Sequence, residues 1–149
     1  MAQGTHDHQV DPRNEDIQIN INGQLFRRAE AKISVFDSGF ILGDGVWEGL
    51  RLHRGKILFA AEHMKRLYEG AKALDMVMDV EPQQMLERIY QTCEANGMES
   101  GVHIRLMVTR GVKSTPYQDP RMTITPPTVV IIAEYKAPMP ETVEQGIRL

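Results

Sequence analysis

Along "IQININGQLF", apolar and polar residues alternate. Ile17, Ile19 and Ile21 recur at every second position, the period of a strand with one covered face. The alternation breaks at Asn22-Gly23, a pair suited to the two positive-φ positions of a type I′ hairpin, and Leu25 and Phe26 begin a return strand. A second alternating stretch, "GVWEGLRLHRGKILF", predicts another hairpin turning at Arg54-Gly55. The period then changes. In "AAEHMKRLYEGAKAL", Met64, Leu67, Tyr68, Ala71 and Leu74 fall on one face of a helix. A further helix starts at Pro82, which suits a first turn. Its apolar face is Met85, Leu86, Ile89, Tyr90 and Cys93, and Gly97 serves as its C-terminal stop. "VHIRLMVTRG" reads as a strand and "TVVIIAEY" as a central one, being apolar on both faces. The intervening "KSTPYQDPRMTITPP", with four prolines, is a long loop of the kind that usually has a function or is mobile.

The order hairpin, hairpin, helix, helix, strand, loop, strand predicts an α+β domain: a largely antiparallel sheet with two helices on one side. It spans residues 17–136. Residues 1–16 are polar and aperiodic and read as a disordered tail. "APMPE" at 137–141 reads as a linker, and residues 142–149 as the first strand of a further, larger domain.

Composition narrows the function. The chain has 149 residues, 42% hydrophobic and 25% charged, enough for one domain with a real core. A net charge of −3 argues against nucleic acid or an acidic membrane as partner. No apolar run approaches a membrane span, and no signal peptide opens the chain, so a cytoplasmic location is expected. Cys93 stands alone, which excludes an internal disulfide, and its apolar helical setting predicts an inert thiol. His6 and His8 have no third ligand nearby, and no metal site is expected.

Five of the twelve glycines lie between Phe36 and Gly55, at 39, 43, 45, 49 and 55. The spacing fits neither phosphate-binding loop. From Gly43 the third glycine of G-x-G-x-x-G is replaced by Glu48, G-K-[ST] is absent, and a strand rather than a helix follows. The residues alone favour tight turns and close backbone approach. Arg66 lies off the apolar helical face with Glu62 at i−4 and Glu69 at i+3, so a solvated ion pair explains it locally.

The block "DSGFILGDGVWEGLRLHRGKILFAAEHMKRLYEGAKAL" resembles the small domain of the fold-type IV pyridoxal-phosphate enzymes. These are the class IV aminotransferases, including branched-chain and D-amino-acid aminotransferases, (R)-selective amine transaminases and aminodeoxychorismate lyases. The carriers are G-D-G-V-W-E-G-L-R and, at the matching distance, E-H-M-K-R-L, and the likeness extends through "HIRLMVTRG" to the linker. It implies pyridoxal 5′-phosphate as cofactor, with Arg66 gripping its phosphate. Trp47, Gly49, His103 and Arg105 would then lie on the substrate side, where an amino acid and a 2-oxo acid exchange an amino group. Arg110 and the following loop would reach the same pocket, and Arg51 is read as structural. Leu42 stands where branched-chain members carry tyrosine, which leaves D-amino-acid and amine substrates open. The resemblance also implies a homodimer. The catalytic lysine and the carboxylate at the pyridine nitrogen would come from residues beyond Leu149, in the same chain or a separate one; none of the lysines present, such as Lys65 or Lys72, has the matching context. A lyase of the same family, or a non-catalytic interaction domain, are the alternatives.

Overall fold

The computed structural model describes residues 10–136. His6, His8, the expected linker and the strand expected at 142–149 lie outside them.

Six strands form one antiparallel sheet: β1 (Gln18–Ile21), β2 (Gln24–Arg27), β3 (Gly45–His53), β4 (Lys56–Ile57), β5 (Val102–Thr109) and β6 (Thr128–Tyr135), in the order β2-β1-β6-β5-β3-β4. Both hairpins turn where the sequence places them. Asn22 and Gly23 have φ of 53° and 89°, Arg54 and Gly55 of 49° and 72°, the positive pairs that a type I′ turn requires. β6 is interior, as its apolar run requires. Helices α2 (Ala60–Ala73) and α3 (Pro82–Ala95) both cover one face, α2 over β3 and α3 over β1 and β6. The core lies between. It joins Leu50, Leu52, Val102, Ile104, Leu106, Val108, Val129 and Ile131 of the sheet to Met64, Leu67, Met85, Ile89 and Cys93 of the helices. Burial drives the Cys93 thiol up to about 11, in keeping with an inert side chain.

Four expectations change. A five-residue helix, α1 (Ser38–Leu42), sits inside the glycine-rich stretch; Asp37 caps it by accepting from Gly39 N, and Gly43 closes it in the left-handed conformation. Residues 11–16 are not a loose tail. Pro12–Asn14 form a 3-10 turn, and the buried Asn14 side chain exchanges two hydrogen bonds with the Tyr135 backbone, at 3.0 and 2.8 Å. Leu74 ends α2 half-exposed rather than in the core. Ile17 reaches the core, but Ile21, paired with Val130, lines the face opposite the helices.

The four-proline loop is built around a charge. Lys113 is buried and donates from Nζ to Asp119 O at 2.9 Å. Ser114 N donates to Met122 O, and a Lys113–Thr123 bridge closes the base. The ammonium thus satisfies a carbonyl that a turn this tight turns inward.

Candidate functional site

β3 and β5 alternate strictly. Val46, Glu48, Leu50 and Leu52 face the helices with Ile104 and Leu106; Trp47, Gly49 and Arg51 face the opposite way with His103, Arg105 and Met107. The four expected substrate-side residues therefore share one bare face. Register sets their rows: Trp47 opposite Met107 and Val130, Gly49 opposite Arg105 and Ile132, Arg51 opposite His103 and Glu134.

Gly49 makes the centre of this arrangement open. Neither its φ nor its surroundings demand glycine: a Cβ there would meet His103 Nε2 at 3.4 Å and the Trp47 ring at 3.8 Å, both ordinary contacts. The space its missing side chain leaves is flanked from both sides. Arg105 lays its guanidinium 4.1 Å over the Trp47 ring, and Trp47 is 60% exposed on this face. Beside it lies an apolar hollow of about 470 Å³ whose lining includes Ile21, Phe40, Trp47, Met107, Val130 and Ile132. A cation over an aromatic ring, next to an apolar hollow, suits a ligand with a carboxylate at one end and a hydrocarbon group at the other.

Burial first, then the charges of Arg51, Lys136 and Arg105, push the His103 imidazole below the usual histidine range, with Glu134 opposing. A folded pKa below the unfolded value of about 6.5 means that the unfolded chain binds more protons just below that pH. This contribution to stability is therefore full above about pH 6.5 and declines as pH falls toward the folded pKa. His103→Gln should flatten the urea midpoint of the protein against pH in that window, and an unchanged slope would show that His103 is not its source.

Arg66 is on the other side of the sheet. It projects from α2 toward the core face of β3, where Glu48 accepts from Arg66 Nε at 2.6 Å and from Nη2 at 2.5 Å. His63, one turn earlier on α2, bonds the same carboxylate from Nδ1 at 2.8 Å. A carboxylate can only accept here, so Nδ1 carries the proton. The arginine's partner is thus Glu48, not Glu62 or Glu69. The Arg66 hydrogen bonds hold the Glu48 carboxyl below its ordinary range against the opposing effect of burial, with His63 adding to the lowering. Arg66 thus meets β3 from the face opposite the other four candidates, but it does so beside an open edge. Among the described residues β4 pairs only with Leu52 and His53, so a ligand at the edge beside Glu48 can reach both faces. Glu48 was the residue that sequence reasoning missed. The available signal was a carboxylate at a core position of an alternating strand, which needs a buried cation.

Arg110 does not reach the bare face. Its guanidinium is engaged by Asp44, at 2.6 and 3.2 Å, and by the carbonyls of Leu74 and Asp75 at the end of α2. Arg51, read as structural from the sequence, lies on the bare face and donates from Nη1 to Lys136 O. Among the described residues no cluster of three or more metal-ligating side chains occurs, and no helix is long and apolar enough to cross a membrane.

Fold and site together define a helix-backed antiparallel domain with an open pocket face and a clamped surface arginine. Comparison with known proteins is specific. The family model for amino-transferase class IV matches residues 45–149. Branched-chain-amino-acid aminotransferase-like protein 1 of Arabidopsis thaliana is 39% identical over 93% of this chain and 25% of its own length. D-alanine aminotransferase of Staphylococcus aureus (strain MSSA476) is 28% identical over 87% of this chain and 45% of its own. Among solved structures, a branched-chain amino acid aminotransferase from T.th., complexed with N-(5′-phosphopyridoxyl)-L-glutamate, superposes with a TM-score of 0.71 at 28% identity, covering 82% of this chain and 41% of that one. The chain belongs to the class IV amino-transferase family. It spans less than half the length of these three relatives.

Proposed function

We propose that the full protein moves an amino group between an amino acid and a 2-oxo acid with pyridoxal 5′-phosphate, and that this chain supplies one wall of the site. The observation that carries the reading is the convergence of Trp47, Gly49, His103 and Arg105 on one bare sheet face, around a glycine that its own surroundings do not require. The residues present fit the cofactor. Arg66 keeps guanidinium N–H groups free of Glu48 on a side chain that is 72% exposed, and the hollow beside Trp47 is apolar and open. When bound, the cofactor supplies the electron sink that lets bonds to the amino-bearing carbon break.

Each residue of this chain then has a limited task. Arg66 anchors the phosphate through charge-assisted bonds. Arg105 receives a substrate carboxylate while Trp47 holds the guanidinium flat. The neutral imidazole of His103 offers a hydrogen bond without adding charge, and Gly49 leaves room for the substrate's carbon chain. The lysine and the carboxylate that complete the chemistry come from outside these 149 residues. A homodimer fits the exposed pocket face, which a second surface must cover to exclude water.

Arg66→Ala should weaken binding of pyridoxal 5′-phosphate roughly 10- to 100-fold, as expected for loss of bonds to a charged group. Pyridoxal, which lacks the phosphate, should bind mutant and parent alike. Equal titration curves for the phosphorylated form would remove Arg66 from the cofactor site. Screening L- and D-amino acids against 2-oxo acid acceptors then assigns the substrate class. Pyruvate released without an acceptor would turn the reading to a lyase.

A further inference from the structure

Glu48 is 2% exposed and sits between Val46 and Leu50 on the core face of β3, where Leu50 and Leu52 are both buried. An ionised carboxylate there costs desolvation energy that an isoleucine would not. The fold keeps it and commits two helical side chains, Arg66 and His63, to satisfying it. Filling space does not explain that choice. What the arrangement does accomplish is to fix the arginine.

A surface arginine ordinarily samples many rotamers and gives them up only when a ligand arrives. Arg66 is mostly exposed, yet two of its five N–H groups, one on Nε and one on Nη2, already point at Glu48. Side-on pairing of this kind leaves the end-on edge free: both N–H groups of Nη1 and the second of Nη2. Two of these are parallel and at the spacing that a phosphate accepts in a bidentate fork. His63 closes the third side, holding Glu48 Oε2 so that the carboxylate cannot rotate away.

We propose that Glu48 is a positioning residue, whose buried carboxylate clamps the Arg66 guanidinium so that its Nη1/Nη2 edge is presented ready-formed to the cofactor phosphate. The inference rests on the reading of Arg66 given above. Two effects oppose each other. The clamp removes the ordering cost of binding, but Glu48 also cancels part of the positive charge that attracts phosphate. Salt weakens the second effect only in so far as the field of Glu48 passes through the solvent around the exposed end of Arg66, and it leaves the first untouched. At an ionic strength of about 0.3 M, where the Debye length is about 6 Å, the clamp should dominate.

The test uses the full-length protein without cofactor at that ionic strength, with dissociation constants for pyridoxal 5′-phosphate and for pyridoxal taken by equilibrium dialysis. Glu48→Gln keeps the size of the side chain but turns one acceptor into a donor facing Arg66. It should weaken the phosphorylated ligand about tenfold and change pyridoxal by less than about twofold. In an Arg66→Ala background the same change should have no further effect, because the clamped group is gone. If Glu48→Gln binds the phosphate form like the parent while Arg66→Ala does not, Arg66 acts unaided: the positioning role is wrong and the site reading survives. If Arg66→Ala itself changes nothing, the reading fails and the inference with it. Equal losses for both ligands would mark Glu48 as a purely structural residue and overturn the proposal. Should Glu48→Gln not fold, Arg66→Lys decides. It keeps the charge but cannot serve Glu48 and the phosphate with two parallel forks, so parent-like affinity would equally overturn the clamp.

Discussion

Replacing Arg110 by methionine is expected to lower the unfolding free energy by about 3 kcal/mol, the scale for breaking a largely buried ion pair from one side. Arg110 follows β5 directly and ties three separate segments. It holds both oxygens of Asp44, just before β3, and two carbonyls at the C-terminal end of α2. The Arg110 and Asp44 side chains are only 16% and 21% exposed, so solvent replaces little of what is lost. Methionine matches the length of the aliphatic stem, and the loss is therefore electrostatic rather than a matter of volume. The Asp44 carboxylate would be left half-buried without its cation, and the carbonyls at the helix end would lose their donor. Arg110→Lys should recover less than half, since one ammonium cannot span a carboxylate and two carbonyls. Urea unfolding of the three proteins measures this. A loss under about 1 kcal/mol for Arg110→Met would place the pair among ordinary surface bridges.

The neighbouring glycine gives the second large effect. Gly111 has φ of +115°, and an added Cβ would lie 2.5 Å from Pro126 O and 3.0 Å from Thr125 O, both backbone atoms. Strain and overlap act together, and Gly111→Ala should cost about 4 kcal/mol. Gly101 separates the two causes. Its φ of +72° is also left-handed, but nothing lies within 4 Å of an added Cβ. Gly101→Ala should cost only about 1 kcal/mol. Similar losses at both positions would mean that backbone strain alone governs and that the loop segments at Gly111 and Pro126 can part easily. Because Arg110 and Gly111 hold the same corner, their effects should not add.

Much of this fold can be read from period and punctuation. Both hairpin turns, both long helices and the interior position of β6 follow from alternation, helical spacing and positive-φ pairs. The reading of the glycines as sites of close approach also holds. A Cβ on Gly45 would meet Val108 O at 2.6 Å, and one on Gly39 would collide with the Thr109 side chain. What escaped was local or long-range. Helix α1 is only five residues, too short for a period to show, although Asp37 and Gly43 bracket it as cap and stop. Asn14 is ordered by Tyr135, 121 residues away, a contact that no window on the sequence contains. For the site, alternation put His103 and Arg105 on one face, and the family motif put Trp47 and Gly49 beside them. The pairing of Arg66 could not be read from its helix, where Glu62 and Glu69 were the nearer acids. The partner came from β3, across the helix–sheet interface, and only folding brings it near.

Strand β3 carries two instructions interleaved, one for each face of the sheet, with Trp47 and Gly49 belonging to the first and Glu48 to the second. It can be compared to a message read in a fixed frame. Exchange of one letter alters one wall, whereas insertion or loss of a single residue between Gly45 and Gly49 would transpose both. The carboxylate would then stand in the pocket and the indole among the core methionines. Among functional variants of this domain, the residues along that stretch can change only within what their own face demands, and their number cannot change, so differences in length should gather instead in the loop between β5 and β6.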